Sequence, residues 1–203
     1  MFKKIIYKYI NFKNKNKLKN SVYDKFNNKY IGRALDIGSG PNPRNEFGAK
    51  EVFGVDIRSH DNESIRRCDF NVEPLPFDDN FFDMITAFDV LEHITRVIVV
   101  DYKTVFPFIN FMNEIWRVLS PKGYFFSSTP CYPKKKSFQD PTHVNFITED
   151  TMRLYFCEKA WARIYGFHGI FSMKAEGWIG SHYYSLIQKT GDEPVKNLNF
   201  KQI

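Results

Sequence analysis

The chain has 203 residues, 43% hydrophobic and 17% aromatic, which is enough for one domain with a sizeable core and too few for two. A body of that composition is not disordered. The formal net charge of +6 is concentrated at one end: residues 1–30 hold nine Lys and one acid, Asp24, while the remainder holds 20 basic and 22 acidic residues.

In chain order, Phe2, Ile5, Ile6, Tyr9 and Ile10 recur at helical spacing and predict a short amphipathic helix. Residues 11–20 are almost wholly Lys and Asn and read as a linker. An arm of this charge is suited to an anionic membrane surface (a peripheral contact through residues 1–20), to nucleic acid or to a phosphorylated substrate; a solvated arm is the simpler reading. No apolar run approaches a membrane span, and no uninterrupted apolar stretch follows Lys3 and Lys4 as a secretory signal would require. Cys68, Cys131 and Cys157 are odd in number and far apart, which predicts reduced thiols in a cytoplasmic protein, with neither a disulfide framework nor a zinc site.

From residue 31 the pattern alternates strand and helix. Strands are predicted at 33–37, 52–56, 65–69, 82–88, 123–129, 169–176 and 182–189. The clearest helix is 105–119, where Val105, Phe108, Ile109, Met112, Ile115, Trp116 and Leu119 recur at three- and four-residue steps. Pro107 fits its first turn, and Pro121 to Gly123 ends it. A weaker helix is predicted at 148–157 with Thr148 as its N-cap. Residues 58–64 scarcely permit a crossover helix. The last two strands, joined by Gly177 to Ser181, suit an antiparallel edge hairpin. The expected fold class is α/β: a doubly wound, mostly parallel, Rossmann-like sheet of about seven strands, with helices on both faces. It would span residues 31–190, between a basic arm (1–30) and a tail (191–203).

The chemistry-bearing pattern begins at Ala34-Leu-Asp-Ile-Gly-Ser-Gly-Pro41. A buried strand leads into a turn with Gly38 and Gly40, and a second strand ends in Asp56, 20 residues after Asp36. The glycines let a ligand approach the backbone and would offer amides to a ligand carboxylate. The second-strand acid can accept both hydroxyls of a ribose. Pro43 stands where a dinucleotide fingerprint has its third glycine, which disfavours a pyrophosphate cofactor.

The chain resembles a class I S-adenosylmethionine-dependent methyltransferase. The resemblance continues through Cys68-Asp-Phe70, Leu75-Pro-Phe-Asp78, Asn80-Phe-Phe-Asp83, Asp89-Val-Leu-Glu-His-Ile94 and Glu114 to Gly123, and covers about residues 31–189. It implies S-adenosylmethionine as cofactor. Asp36 with Gly38, Ser39 and Gly40 would lie under its methionine part, and Asp56 would hold its ribose. Asp69 would accept from its adenine, with Ile57 and Phe70 flanking the ring, and Asp89 would line the methionine pocket. Residue by residue, a structural role stays open: Asp36 orienting the loop, Asp69 capping a turn, Asp89 capping a helix.

Methyl transfer from a sulfonium needs alignment above all, and an oxygen acceptor gains from a base. His93 and His143 are the candidates, with Asp140 in the same Asp-Pro-Thr-His run as His143. Asp140 and His143 could instead bond each other or the backbone and fix the loop. That run resembles methyltransferases of surface-glycan gene clusters. It implies O-methylation of a small molecule or glycan framed by residues 90–104 and 131–147. Lys134, Lys135 and Lys136 open the same loop and suit a substrate phosphate or plain solvation. His60, His168 and His182 read as structural or exposed. No ligand cluster argues for a metal. The rival readings are the same enzyme acting on RNA or protein, or an inactive cofactor-binding scaffold. Asp89-Val-Leu-Glu92 standing in place of an Asn-Pro-Pro-Tyr-like tetrapeptide disfavours nucleic-acid bases. The oligomeric state is not legible.

Overall fold

A computed structural model describes residues 31–191. The expected helix near residues 2–10, the linker that follows it and the tail beyond Gly191 lie outside the described residues. Seven strands form one sheet: β1 (Arg33–Ile37), β2 (Glu51–Asp56), β3 (Ile65–Arg67), β4 (Phe82–Phe88), β7 (Leu119–Pro130), β8 (Phe171–Ile179) and β9 (His182–Lys189). Their order is β3-β2-β1-β4-β7-β9-β8. The first five sequential members run parallel, and β9 lies antiparallel between β7 and β8. The expected mostly parallel sheet with a terminal hairpin is therefore present, and the hairpin inserts its last strand inside its first.

Alternation along the strands divides the core. Leu35, Val55, Ile85, Phe125 and Ile187 point to one face, where they meet Phe108, Met112 and Ile115 of α1 (Pro107–Val118) and Met152 and Phe156 of a π-helical segment, Thr151–Glu158. Their sequence neighbours Ala34, Met84, Phe126 and Leu186 point to the other face, where Ile31, Ala49 and half-buried Phe47 join them.

The connections from β1 to β2 and from β3 to β4 contain no helix, and neither does the segment 57–64 that the sequence marks as too short. These loops are held by side chains instead. Arg117 near the end of α1 donates to Glu114, Asp79 and the carbonyls of Leu75 and Phe77, and so fastens the β3–β4 loop to the helix. The predicted strand at 123–129 begins earlier, at Leu119, and is bulged opposite Phe82 and Met84, with Lys122 at φ 65°. Between β4 and α1 a short hairpin forms from β5 (Ile98–Val100) and β6 (Lys103–Val105). Thr148 stands at the head of the second helix, where its N–H donates to Thr151 Oγ1.

Phe125 is fully buried at the centre of the helix-covered face. Phe125→Ala is expected to lower the unfolding free energy by about 3–5 kcal/mol, read from urea melts of the two proteins.

Candidate active site

In a sheet of this order the chain runs outward from β1 through β2 to β3 and then crosses back to β4 on the other side of β1, so the direction of the connections reverses between β1 and β4. A crevice therefore opens at the carboxyl ends of those strands. Asp36, the glycine turn, Asp56 and Asp89 all stand at this edge.

The turn is built by shape. Gly38 has φ 68°, and a Cβ there would come within 2.6 Å of Val90 Cγ2, so the chain after β1 lies directly against the chain after β4. The N–H groups of Gly38 and Ser39 both donate to the Val55 carbonyl, at 2.8 and 3.2 Å, and the Gly40 N–H donates to Asp56 Oδ2 at 2.9 Å. These three amides are thus directed at β2. The expectation that the turn offers them to a ligand carboxylate does not match this arrangement: the turn provides a bare surface for close approach. Within β2, Gly54 accommodates the same segment, because a Cβ there would lie 2.5 Å from Ser39 Oγ.

Asp36 is buried, with Oδ1 accepting from Thr86 Oγ1 at 2.8 Å and Oδ2 from the Arg44 N–H at 2.8 Å. Burial raises its pKa, and those two hydrogen bonds offset the effect only in part. Its bond to the Arg44 amide matches the loop-orienting alternative.

Asp56 accepts from Gly40, from the Arg58 N–H at 2.9 Å and from Arg58 Nε at 2.9 Å, while His60 Nε2 lies 3.5 Å from Oδ1. Burial alone would raise its pKa; the Arg58 and Gly40 donors outweigh that and hold the carboxyl well below the ordinary range. The His60 nitrogen is buried and has no hydrogen-bond partner. A carboxylate beside an unspent imidazole nitrogen is a donor–acceptor pair suited to a vicinal diol. Beyond it Ile57 is 53% exposed, and Phe70 stands half-buried against Phe111. Asp69 Oδ1 accepts from the Asn71 N–H at 3.0 Å, which is the turn-capping geometry. The donor set and the glycine cradle are compatible with an adenosyl cofactor: Asp56 with His60 beside it would suit a diol, and Ile57 and Phe70 are apolar side chains that follow β2 and β3.

Asp89 takes the left-handed conformation, φ 56°, and Oδ1 lies 2.8 Å from His182 Nε2. Sequence reading left His182 aside. The register that sets it opposite Pro130, and so at this edge, is a property of the sheet.

The turn after β4 and the loop after β7 are joined by one reciprocal attachment. Glu92, in the 3₁₀ turn Leu91–His93, is 1% exposed. Its main-chain carbonyl accepts the N–H groups of Val144 and Asn145, both at 2.9 Å, and its Oε2 accepts from Thr129 Oγ1 at 2.5 Å. Asn145 donates to the Leu91 carbonyl and accepts from Arg96 Nε, which also fixes the segment toward β5. His93 and His143 are thereby brought edge to face, with ring centroids 4.9 Å apart. His143 Nδ1 lies 3.1 Å from the Ser137 carbonyl and, as the donor of that bond, leaves Nε2 as the lone-pair nitrogen, 3.9 Å from Glu92 Oε1. Asp140 is exposed and accepts from the Thr142 N–H and hydroxyl at 2.8 and 2.7 Å. Thr142 Oγ1 lies 3.1 Å from His93 Nδ1, so Asp140 reaches His93 through Thr142 and positions the loop.

The three cysteines are free. Burial pushes each thiol up to about 12, so none is a thiolate at neutral pH.

Residues 35–127 match the family model of a methyltransferase domain. Similar solved structures include a methyltransferase in complex with the Haloferax volcanii Trm112 methyltransferase activator (13% identity, 88% of this chain and 92% of that one, TM-score 0.57). The PH0226 protein from Pyrococcus horikoshii is 17% identical over 94% of this chain and 98% of its own, with a TM-score of 0.55. Phosphoethanolamine N-methyltransferase 1 of Haemonchus contortus, solved with phosphoethanolamine and S-adenosylhomocysteine, is 12% identical, with a TM-score of 0.54, over 89% of this chain and 45% of that one. Comparison with curated protein sequences yields no match. The sheet order and these likenesses agree on the fold, and the match to a methyltransferase domain spans residues 35–127 within it.

A carboxyl whose pKa is raised in the folded state stabilises the fold only while protonated. For Asp36 that contribution is complete below its ordinary value of 3.8 and is lost as the pH rises through the folded value. Asp36→Asn stays neutral, so its unfolding free energy relative to wild type should increase as the pH rises above 3.8 in paired urea melts. A constant difference would place the charge cost elsewhere.

Proposed function

We propose that this chain is a class I methyltransferase that uses S-adenosylmethionine and transfers its methyl group to a hydroxyl oxygen of a small-molecule or glycan acceptor bound between residues 90–104 and 131–147. The observation that carries this reading is the buried Glu92 carboxylate facing His143, with His93 beside it, two residues beyond the Val90 that abuts the glycine turn. Groups able to accept or organise a hydroxyl proton thus stand next to the cofactor crevice, as an oxygen acceptor requires.

On this reading, Asp56 and His60 hold the ribose hydroxyls in place of the Arg58 guanidinium, whose side chain is 69% exposed and free to swing away. Asp36, Gly38, Ser39 and Gly40 shape the methionine end, Asp89 borders it, and Ile57, Asp69 and Phe70 enclose the adenine. Bound there, the cofactor supplies a methyl group activated by its sulfonium. The chain's own task is then to hold the acceptor oxygen in line and to exclude water. Exposed Tyr132, Phe138 and Phe146 form a string of ring contacts along the acceptor loop, a surface suited to the apolar face of a sugar, and Lys134, Lys135 and Lys136 lie exposed beside it. These features support a glycan or phosphorylated-sugar acceptor and a role in glycan biosynthesis. A cytoplasmic setting is supported by the free protonated thiols, and no helix among the described residues is long and apolar enough to cross a membrane.

Two variants test the reading. Asp56→Ala should weaken S-adenosylhomocysteine binding by about ten- to a hundredfold in calorimetry while circular dichroism is unchanged; unaltered affinity would remove Asp56 from the ribose site. His143→Ala should lower methyl transfer to a hydroxylated acceptor by about a hundredfold or more with cofactor affinity retained; wild-type turnover would separate His143 from the chemistry.

A further inference from the structure

We infer that Glu92, His93 and His143 form a binding site for a divalent first-row transition cation, open on one side to the acceptor. This deepens the reading of the acceptor pocket given above, with a cation held by these groups taking the place of direct proton acceptance by His143, and rests on that reading for the identity of the remaining ligand.

One ligand atom from each of the three residues can be chosen so that all lie within 4.8 Å of one another. The donor set, two imidazoles and a carboxylate, is the one that zinc, iron(II) and cobalt(II) accept, and it is poorer for magnesium, which prefers oxygen. With metal–ligand bonds near 2.0–2.2 Å, ligand atoms around a tetrahedral cation stand about 3.3 Å apart. The 3.9 Å between His143 Nε2 and Glu92 Oε1 therefore needs only a small inward movement of side chains.

A second observation is independent of the clustering. Glu92 is 1% exposed, and while Oε2 is satisfied by Thr129, Oε1 has no hydrogen-bond partner and faces His143. An unsatisfied carboxylate oxygen in a dry position is costly, and a cation is the group that offsets the cost of burying that charge. The surroundings are those of a preorganised ligand set. His143 Nδ1 is tied to the Ser137 carbonyl and Glu92 Oε2 to Thr129, so each of these two residues has one atom fixed behind the cluster while His143 Nε2 and Glu92 Oε1 face each other, and the His93 ring is held in place by its Nδ1 contact with Thr142. Three protein ligands leave at least one position for an acceptor oxygen. Coordination there would lower the pKa of the hydroxyl, whose proton passes to water, and would fix the oxygen beside the cofactor crevice.

The test uses the full chain after exhaustive chelation, titrated with cobalt(II) alone and followed by visible absorption, then with zinc in competition. The expected result is one cation per chain, visible ligand-field bands from mixed nitrogen and oxygen donors, and displacement of cobalt by zinc. Glu92→Gln, which keeps the Thr129 hydrogen bond, and half-buried His93→Gln should each weaken cobalt binding by about a hundredfold. Their S-adenosylhomocysteine affinity, measured by calorimetry in chelator, should match wild type and serves as the control for folding. Absence of saturable binding by the wild type, or binding indifferent to both substitutions, would overturn the inference. Loss of S-adenosylhomocysteine binding by the wild type would instead overturn the functional reading and leave the cation site to stand or fall on the cobalt spectra.

Discussion

The arrangement of the active edge depends on the Glu92 main-chain carbonyl, which receives two N–H donors from the loop after β7. Loops that end on a sheet edge ordinarily differ in their freedom to move. Here the turn after β4 and the loop carrying His143 share two hydrogen bonds through one carbonyl and a third from Asn145 to Leu91, while the Thr129 hydroxyl of β7 anchors the Glu92 carboxylate from the sheet. Each is modest alone, about 1 kcal/mol net for a neutral pair and more for a charged one. Acting on consecutive residues, they remove the independent motion of the two loops.

The sheet makes that attachment available. Because β4 and β7 are neighbours and parallel, their carboxyl ends emerge side by side, and because β1 lies on the other side of β4, the glycine turn presses on Val90 from there. The half of the molecule around β1, β2 and β3 does without crossover helices in its described connections. It fastens its loops with Arg117, with the paired donors on Asp56 and with the aromatic cluster of Phe53, Phe77, Phe81 and Phe82.

What could be read in the sequence was whatever is local. The run through Asp36, Gly38 and Gly40 and the acid at Asp56 are short-range patterns with a geometric reason, and α1 announces itself by its three- and four-residue steps. The limits of the long strand β7 were misjudged because a bulge with a left-handed Lys122 allows pairing to begin right after the helix. Glu92 carried no signal of its own: an acid between Leu91 and His93 reads as one more polar residue in a turn. Its meaning arises only when strand order sets His143 beside it. His60 and His182 were passed over for the same reason, since one acquires its partner by the curl of the chain after Asp56 and the other by a cross-strand register.

The free thiols, two buried and that of Cys157 half-buried, have a practical corollary. Cys68 sits under the segment leading to Asp69, Cys131 begins the loop that carries His143, and Cys157 lies in the π-helical turn. Held as S–H, each resists an alkylating reagent until its surroundings part. The three sulfurs are therefore native reporters of breathing in three separate regions, and the order in which they become modified would rank how readily each region opens.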